Sequence, residues 1–178
     1  IMCDKEEIGS TGSTGMESYV FENAIAEIVN LCSKDYSDLL LRRTLQASSM
    51  ISADVNALHD PMFPEVSSPH GNMAKMNHGV VVSKYTGSRG KSRTNDASAE
   101  YVARIRKIFD DAKVLWQMGE LGKVDQGGGG TIAYMLARYE MHVIDCGVGL
   151  LSMHAPFEVA GKLDIYMAYK AYAAFYQA

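Results

Sequence analysis

The sequence predicts an α/β layered sandwich, a largely parallel sheet with helices on both faces. Segments of period near 2 alternate with segments of period near 3.6 along the whole chain. Glycine- and proline-rich stretches separate them, and no internal repeat interrupts the alternation. Strands joined through helices run parallel and need cover on both sides.

Residues 1–8 read as a strand ending in a glycine turn. Residues 17–32 read as a helix, with Tyr19, Phe21, Ile25, Ile28, Val29 and Cys32 near helical spacing. A second helix over 37–46 has Ser37 as its N-cap. A strand over 48–53 ends at Asp54. From His59 to His78 the chain is loop, punctuated by Pro61, Pro64 and Pro69. The β-branched run Gly79–Tyr85 predicts one strand. Asn95 and Asp96 are positioned to cap a helix over 97–112. Residues 113–118 form a further strand, 119–130 a flexible loop and 131–140 a helix. A strand over 141–146, a loop over 147–158 and a Tyr/Ala-rich helix over 160–176 complete the pattern. That last helix carries Tyr166, Tyr169, Tyr172, Phe175 and Tyr176 and is expected in the core.

At 178 residues the chain is long enough for one well-cored domain and short for two. Its 47% hydrophobic and 21% charged residues are those of a soluble globular protein. A net charge of −4 gives no reason to expect nucleic acid or an anionic membrane as partner. The one basic cluster (Lys84, Arg89, Lys91, Arg93) falls in a Gly/Ser-rich stretch read as loop. No apolar run approaches the roughly 20 residues that span a bilayer. Cys3, Cys32 and Cys146 are odd in number and far apart, so neither a disulfide framework nor a thiolate zinc site is indicated. They read as buried apolar thiols in a reducing compartment, with the cytoplasm as the expected one. Because Ile1 opens in what reads as mid-strand, the chain is expected to be the C-terminal portion of a longer polypeptide.

The chemistry concentrates in a few places. Asp4-Lys5-Glu6-Glu7-Ile8-Gly9-Ser10 sets two adjacent carboxylates before a glycine turn. Where the backbone turns, one carboxylate can bind a metal while its neighbour takes a proton from water. Taken alone, such a pair reads more simply as a solvated acidic turn. Asp54 follows a strand and reads equally as a cap, and His154 lies in a loop between apolar residues. Asp145, between Ile144 and Cys146, suits a structural or supporting role. Gly127-Gly128-Gly129-Gly130-Thr131 precedes a helix, which raises a phosphate loop as a rival. However, no Lys-Ser/Thr follows the last glycine and the spacing is not GxGxxG. A loop that brings backbone donors close to a peptide fits better.

Side by side, these segments resemble the aspartyl aminopeptidase family of co-catalytic zinc metallopeptidases, bacterial members above all. The resemblance runs from about Asp4 to Tyr176. It rests on Asp4–Ser10, Ile51-Ser52-Ala53-Asp54, the Gly79–Tyr85 segment with Lys84, Gly130-Thr131-Ile132 and Ser152-Met153-His154. It implies an α/β/α sandwich with a mixed, largely parallel central sheet of the zinc-exopeptidase kind, incomplete here. It further implies removal of N-terminal, possibly acidic, residues from peptide substrates. Glu6 matches the general base, Glu7 and His154 ligands of one zinc, and Asp54 a ligand of the second. Lys84 and His59 match residues near the substrate, beside Gly130 and Thr131 of the glycine loop.

The resemblance also implies two ligands upstream, a His and an Asp bridging both zincs, and this chain begins after their place. None of His59, His70, His78 or His142 stands in a setting that suggests a substitute. Residues 1–178 are therefore expected to be the C-terminal part of a catalytic domain, without its upstream strands or the family's smaller inserted domain. The site expected to hold two zinc ions would lack part of its ligand set. The leading reading is a zinc aminopeptidase that forms homo-oligomers. The alternative is a non-catalytic folded fragment that self-associates without a full metal site, and a small anion- or nucleotide-binding module is third.

Overall fold

The computed structural model describes every residue except 68–70, 72 and 124, so Pro69 and His70 lie outside the described residues. The elements in chain order are α1 (Val20–Cys32), α2 (Asp38–Gln46), β1 (Ser49–Ser52), β2 (Asn56–Ala57), β3 (Val80–Ser83), β4 (Tyr85–Ser88) and β5 (Ser92–Asp96). They continue with α3 (Ala99–Asp111), β6 (Trp116–Met118), α4 (Ala133–Ala137), β7 (His142–Gly147), β8 (Gly149–Leu151), β9 (Val159–Ala160) and α5 (Lys162–Tyr176). The central sheet has the order β1-β7-β3-β6. β1 runs parallel to β7 and β3 parallel to β6, while β3 and β7 are antiparallel, so the sheet is mixed.

Strand alternation builds the two outer layers. On β7, Ile144 and Cys146 face α3 and α5 with Val80, Val82, Ile105 and Phe109. Val143 faces the opposite way, into a core with Phe21 and Val29 of α1, Leu41 and Leu45 of α2, and Leu136 of α4. Each layer is thus held by every second side chain of one central strand.

Local signals decide the structure where they act within one segment. The Ser37 Oγ accepts a hydrogen bond from the Leu40 amide at 3.1 Å and starts α2. Elsewhere tertiary pairing overrides them. The N-terminal segment is not a strand: Asp4 makes one isolated bridge to Gly15, and Glu6–Ile8 form a single 3₁₀ turn. Lys5 enters the left-handed region (φ 60°), and its carbonyl then accepts from the Ser10 amide at 2.8 Å.

The predicted 79–85 strand breaks at Lys84 into β3 and β4, which belong to different sheets. The basic stretch read as loop is the β4–β5 hairpin. Asn95 and Asp96 are therefore strand residues, and Ser98 caps α3 by accepting from Tyr101 N at 3.2 Å. The 147–158 stretch contains β8, and the predicted helix over 131–140 is shorter, Ala133–Ala137. α5 buries Met167, Ala168 and Ala171, as expected of a core helix, but Tyr166, Tyr169 and Tyr176 of the same helix are exposed.

One carboxylate organises the approach to β3. Asp164 of α5 is fully buried and accepts from the Asn77 amide at 2.7 Å and the Gly79 amide at 2.8 Å. Both donors are main chain, so the end of the long 59–78 connection is tied to α5 through one side chain.

Candidate metal and hydrolytic site

Glu6 and Glu7 begin the 3₁₀ turn, whose last carbonyl bond is made by Gly9 at φ 90°. In a 3₁₀ turn successive side chains project about 120° apart. That rotation, rather than strand alternation, separates the two carboxylates. Glu6 is half-buried and Glu7 exposed. Burial pushes the Glu6 carboxyl above its ordinary range, and the charges of Asp54 and Glu7 push the same way. His154 and Asp145 also reach it, the first opposing the rise and the second adding to it.

Asp54 leaves the end of β1, with its Oδ1 accepting from the Val55 amide at 2.7 Å. Burial raises its carboxyl too; the Val55 hydrogen bond and His154 oppose this, and Glu7 reinforces it. His154 occupies a tight turn at φ 66° and donates its backbone amide to Glu158 Oε1 at 2.6 Å. Its Nδ1 stands 3.9 Å from Glu7 Oε2. Glu6, Glu7, Asp54 and His154, separated by as many as 148 positions in the chain, therefore share one electrostatic neighbourhood.

Gly130 and Thr131 join them, lining with Glu6 and Glu7 a cleft of about 180 Å³. The glycines before them are conformationally required at one point. Gly128 adopts φ 81°, and a Cβ there would stand 2.4 Å from the Gly87 carbonyl oxygen. Lys84 and His59 are placed elsewhere. Lys84 is ion-paired with Asp96 across the β4–β5 hairpin, and His59 bonds through its backbone amide to Ala74 O at 2.8 Å. The His59 Nδ1 is buried without a partner among the described residues.

Beneath Asp54 lies a polar layer that sequence reasoning did not assemble. Ser52, Asp145 and Ser83 are register partners across β1, β7 and β3, and all three are buried. Asp145 Oδ2 accepts from Thr86 Oγ1 at 2.9 Å, while Asp145 Oδ1, Asn56 Oδ1 and Ser52 Oγ have no partner among the described residues. Burial raises the Asp145 carboxyl, and the Thr86 hydroxyl bonded to it opposes the rise. The available signal was the run of Ser and Thr at strand ends, which register alone converts into a cluster.

The donor chemistry suits zinc, which takes carboxylate oxygen and imidazole nitrogen. Tetrahedral zinc with both bonds near 2.1 Å would hold two donors roughly 3.4 Å apart. Glu7 and His154, at 3.9 Å, fit that spacing with a small closure. Among the described residues, however, no group of three or more His, Cys, Asp or Glu closes on one point.

Over residues 1–176 the chain matches the family described as Aminopeptidase I zinc metalloprotease (M18). A probable M18 family aminopeptidase 1 of Clostridium acetobutylicum is 56% identical over 175 residues, covering 98% of this chain and 37% of the relative. The crystal structure of an M18 aminopeptidase from Thermotoga maritima superposes with a TM-score of 0.91 at 45% identity, over 97% of this chain and 38% of that one. The S. cerevisiae mApe1 dodecamer superposes with a TM-score of 0.77 at 26% identity, over 98% of this chain and 36% of that one. The chain thus spans little more than a third of the length of these relatives.

Proposed function

The chain belongs to the Aminopeptidase I zinc metalloprotease (M18) family, and on that premise we propose that it carries the C-terminal part of a metal-dependent aminopeptidase active site, with Glu6 as general base. The observation that carries this reading is the convergence of Glu6, Glu7, Asp54 and His154 in one acidic neighbourhood, where burial holds the Glu6 carboxyl above its ordinary range. A carboxylate held nearer neutrality takes a proton from water and returns it to a leaving amine more readily than an ordinary one.

Glu7 and His154 would hold one zinc and Asp54 a second. Bound zinc supplies Lewis acidity toward a scissile carbonyl and lowers the pKa of a bound water. Around it, the Val55 amide fixes the Asp54 carboxylate, and the Glu158 carboxylate anchors the backbone that presents His154. Gly130 and Thr131 line the cleft beside Glu6, where the absence of a side chain at Gly130 lets a peptide main chain come close. The substrate is then a peptide entering by its N-terminus.

We place residues 1–178 as the C-terminal portion of the catalytic domain. Two features support this: the partial span of the relatives, and the outer edge of β1, which bonds no strand but β7 among the described residues. Homo-oligomerisation is supported by the dodecameric yeast relative, and a reducing, cytoplasmic setting by three free cysteines, of which Cys146 is buried as expected while Cys3 and Cys32, expected to be buried, are exposed. Among the described residues no helix is long and apolar enough to cross a membrane. A second reading, a folded but non-catalytic self-associating fragment, is favoured by the lack of any three-ligand group among the described residues.

Hydrolysis of aminoacyl anilides by the zinc-loaded protein separates the two. Activity lost in Glu6→Gln with unchanged folding supports the enzyme. Inactivity of the wild type, with no zinc retained, supports the fragment.

A further inference from the structure

A second, smaller cavity lies under Asp54, between β7, the start of β2 and the β3–β4 junction. It measures about 10 Å³, close to the space that one water molecule or one bare alkali ion takes. Asp54, Asn56, Ser83, Thr86, Thr131 and Asp145 supply its polar wall, and among the described residues no lysine, arginine or histidine lines it. The wall is closed to solvent: Asn56 and Asp145 are 5% and 4% exposed, and Ser83, Thr86 and Thr131 are buried with them.

The hydrogen bonds around this cavity leave it a surface of acceptors. The Asn56 side-chain amide donates from Nδ2 to Ser83 Oγ, which turns its carbonyl Oδ1 the other way. Thr86 Oγ1 donates its one hydrogen to Asp145 Oδ2 at 2.9 Å, so only its lone pairs remain. Asp145 Oδ1 and Asn56 Oδ1 are buried and without partners among the described residues. The backbone fixes these groups: Ser83 faces Asp145 across β3 and β7, and the Asn56 main-chain amide donates to the Val148 carbonyl at 2.9 Å. Two free acceptors and a hydroxyl whose hydrogen is already used thus line a negatively charged space. A carboxylate buried without a counter-charge is costly, and burial raises the Asp145 carboxyl accordingly.

We propose that this cavity binds one dehydrated alkali-metal cation, sodium or potassium, through Asp145 Oδ1, Asn56 Oδ1 and Thr86 Oγ1. Hard cations take oxygen ligands of this mixed kind, a carboxylate with an amide carbonyl and a hydroxyl. A single unpaired carboxylate oxygen matches a charge of +1, and the cavity has no room for the water shell that magnesium keeps. The site stands on its own geometry and does not rest on the aminopeptidase reading. It bears on that reading, because Asp145 is one of the charges that press upward on Glu6 and a bound cation would neutralise it.

The test follows the thermal midpoint of the full chain at neutral pH, freed of zinc by chelation. Choline chloride is exchanged for sodium or potassium chloride at constant ionic strength, which holds general screening fixed. The midpoint is expected to rise by about 3–6 °C in at least one of the two salts, the effect of a ligand at roughly tenfold its dissociation constant. The rise should be lost in Asp145→Asn and reduced in Thr86→Val, which keeps the side-chain shape without the oxygen. It should survive in Glu7→Gln, because Glu7 lines the open cleft and not this cavity. No rise, a rise undiminished in either cavity variant, or its loss in Glu7→Gln overturns the proposal.

Crystals soaked in thallous acetate give a direct readout, because thallium(I) replaces either ion and scatters anomalously. An anomalous peak within bonding distance of Asp145 Oδ1 and Asn56 Oδ1 places the cation. Density there without anomalous signal overturns the site in favour of an internal water. If the peak is present while the zinc-loaded protein hydrolyses nothing, the aminopeptidase reading fails and the cation site stands. If the protein is active and the peak is absent, the cation site fails alone.

Discussion

Asp164 and the Glu6–Asp54–Asp145 cluster are both acidic regions drawn into a folded interior, and they are handled in opposite ways. Asp164 is fully buried, yet each of its oxygens accepts one backbone amide, from Asn77 and Gly79. In the cluster the carboxylates repel one another, Asp145 Oδ1 has no partner among the described residues, and burial raises all three pKa values. The first arrangement spends a buried charge on fixing the backbone. The second accumulates negative charge that only a proton or a cation relieves, which is the signature of a site rather than of a scaffold.

The contrast breaks most visibly at Glu6. Glu6→Gln is expected to lower kcat of the zinc-loaded protein by about 10²- to 10⁴-fold, the usual worth of a general base, while the thermal midpoint holds or rises. Wild-type activity should fall as pH drops through the raised Glu6 pKa, above its ordinary value of 4.5. Steady-state kinetics and calorimetry on the same samples check both.

Asp164→Ala should do the reverse. Removing the hydrogen bonds that Asp164 accepts from the part-buried Asn77 amide and the buried Gly79 amide costs about 3–5 kcal/mol of stability, read by chemical denaturation. Metal binding should change only as far as the protein unfolds.

A smaller effect, opposite in sign, is expected at Asp145. Its folded pKa is raised, so the folded state holds the proton more tightly than the unfolded chain. Its contribution is fully present below the unfolded value of 3.8 and is lost as pH rises through the folded pKa. In the metal-free protein, Asp145→Asn should therefore raise the midpoint at neutral pH by about 2–4 °C. The gain should vanish below about pH 4. A gain that persists at low pH would tie it to packing instead. Least of all, Lys84→Ala, which removes an ion pair with an exposed Asp96, should cost below about 1 kcal/mol.

The same contrast explains what was legible in the sequence. Helix α2 was readable because Ser37 and the apolar positions after it act within one segment. The layered α/β fold was readable because alternation of period is a property of the whole chain. The β4–β5 hairpin was not, since the break at Lys84 serves pairing with β5 and leaves the β-branched run intact in sequence. The N-terminal 3₁₀ turn was missed for a related reason: an apolar lead-in looks like a strand until Lys5 and Gly9 take positive φ. Individual site residues could be named from motifs, but the polar layer of Ser52, Ser83 and Asp145 exists only through strand register. In sequence Arg93 is one of four basic residues of a Gly/Ser-rich stretch, and only the fold lays it against Gly9 and Gly130.

The central claim, that Glu7 and His154 hold a metal which Glu6 serves without binding, is tested most directly by cobalt substitution. Cobalt accepts the same oxygen and nitrogen donors as zinc and reports its coordination through visible absorption. The wild type and Glu6→Gln should develop the same tetrahedral Co(II) bands, while Glu7→Gln and His154→Ala should lose them. Equal bands in His154→Ala, or their loss in Glu6→Gln, would contradict the assignment.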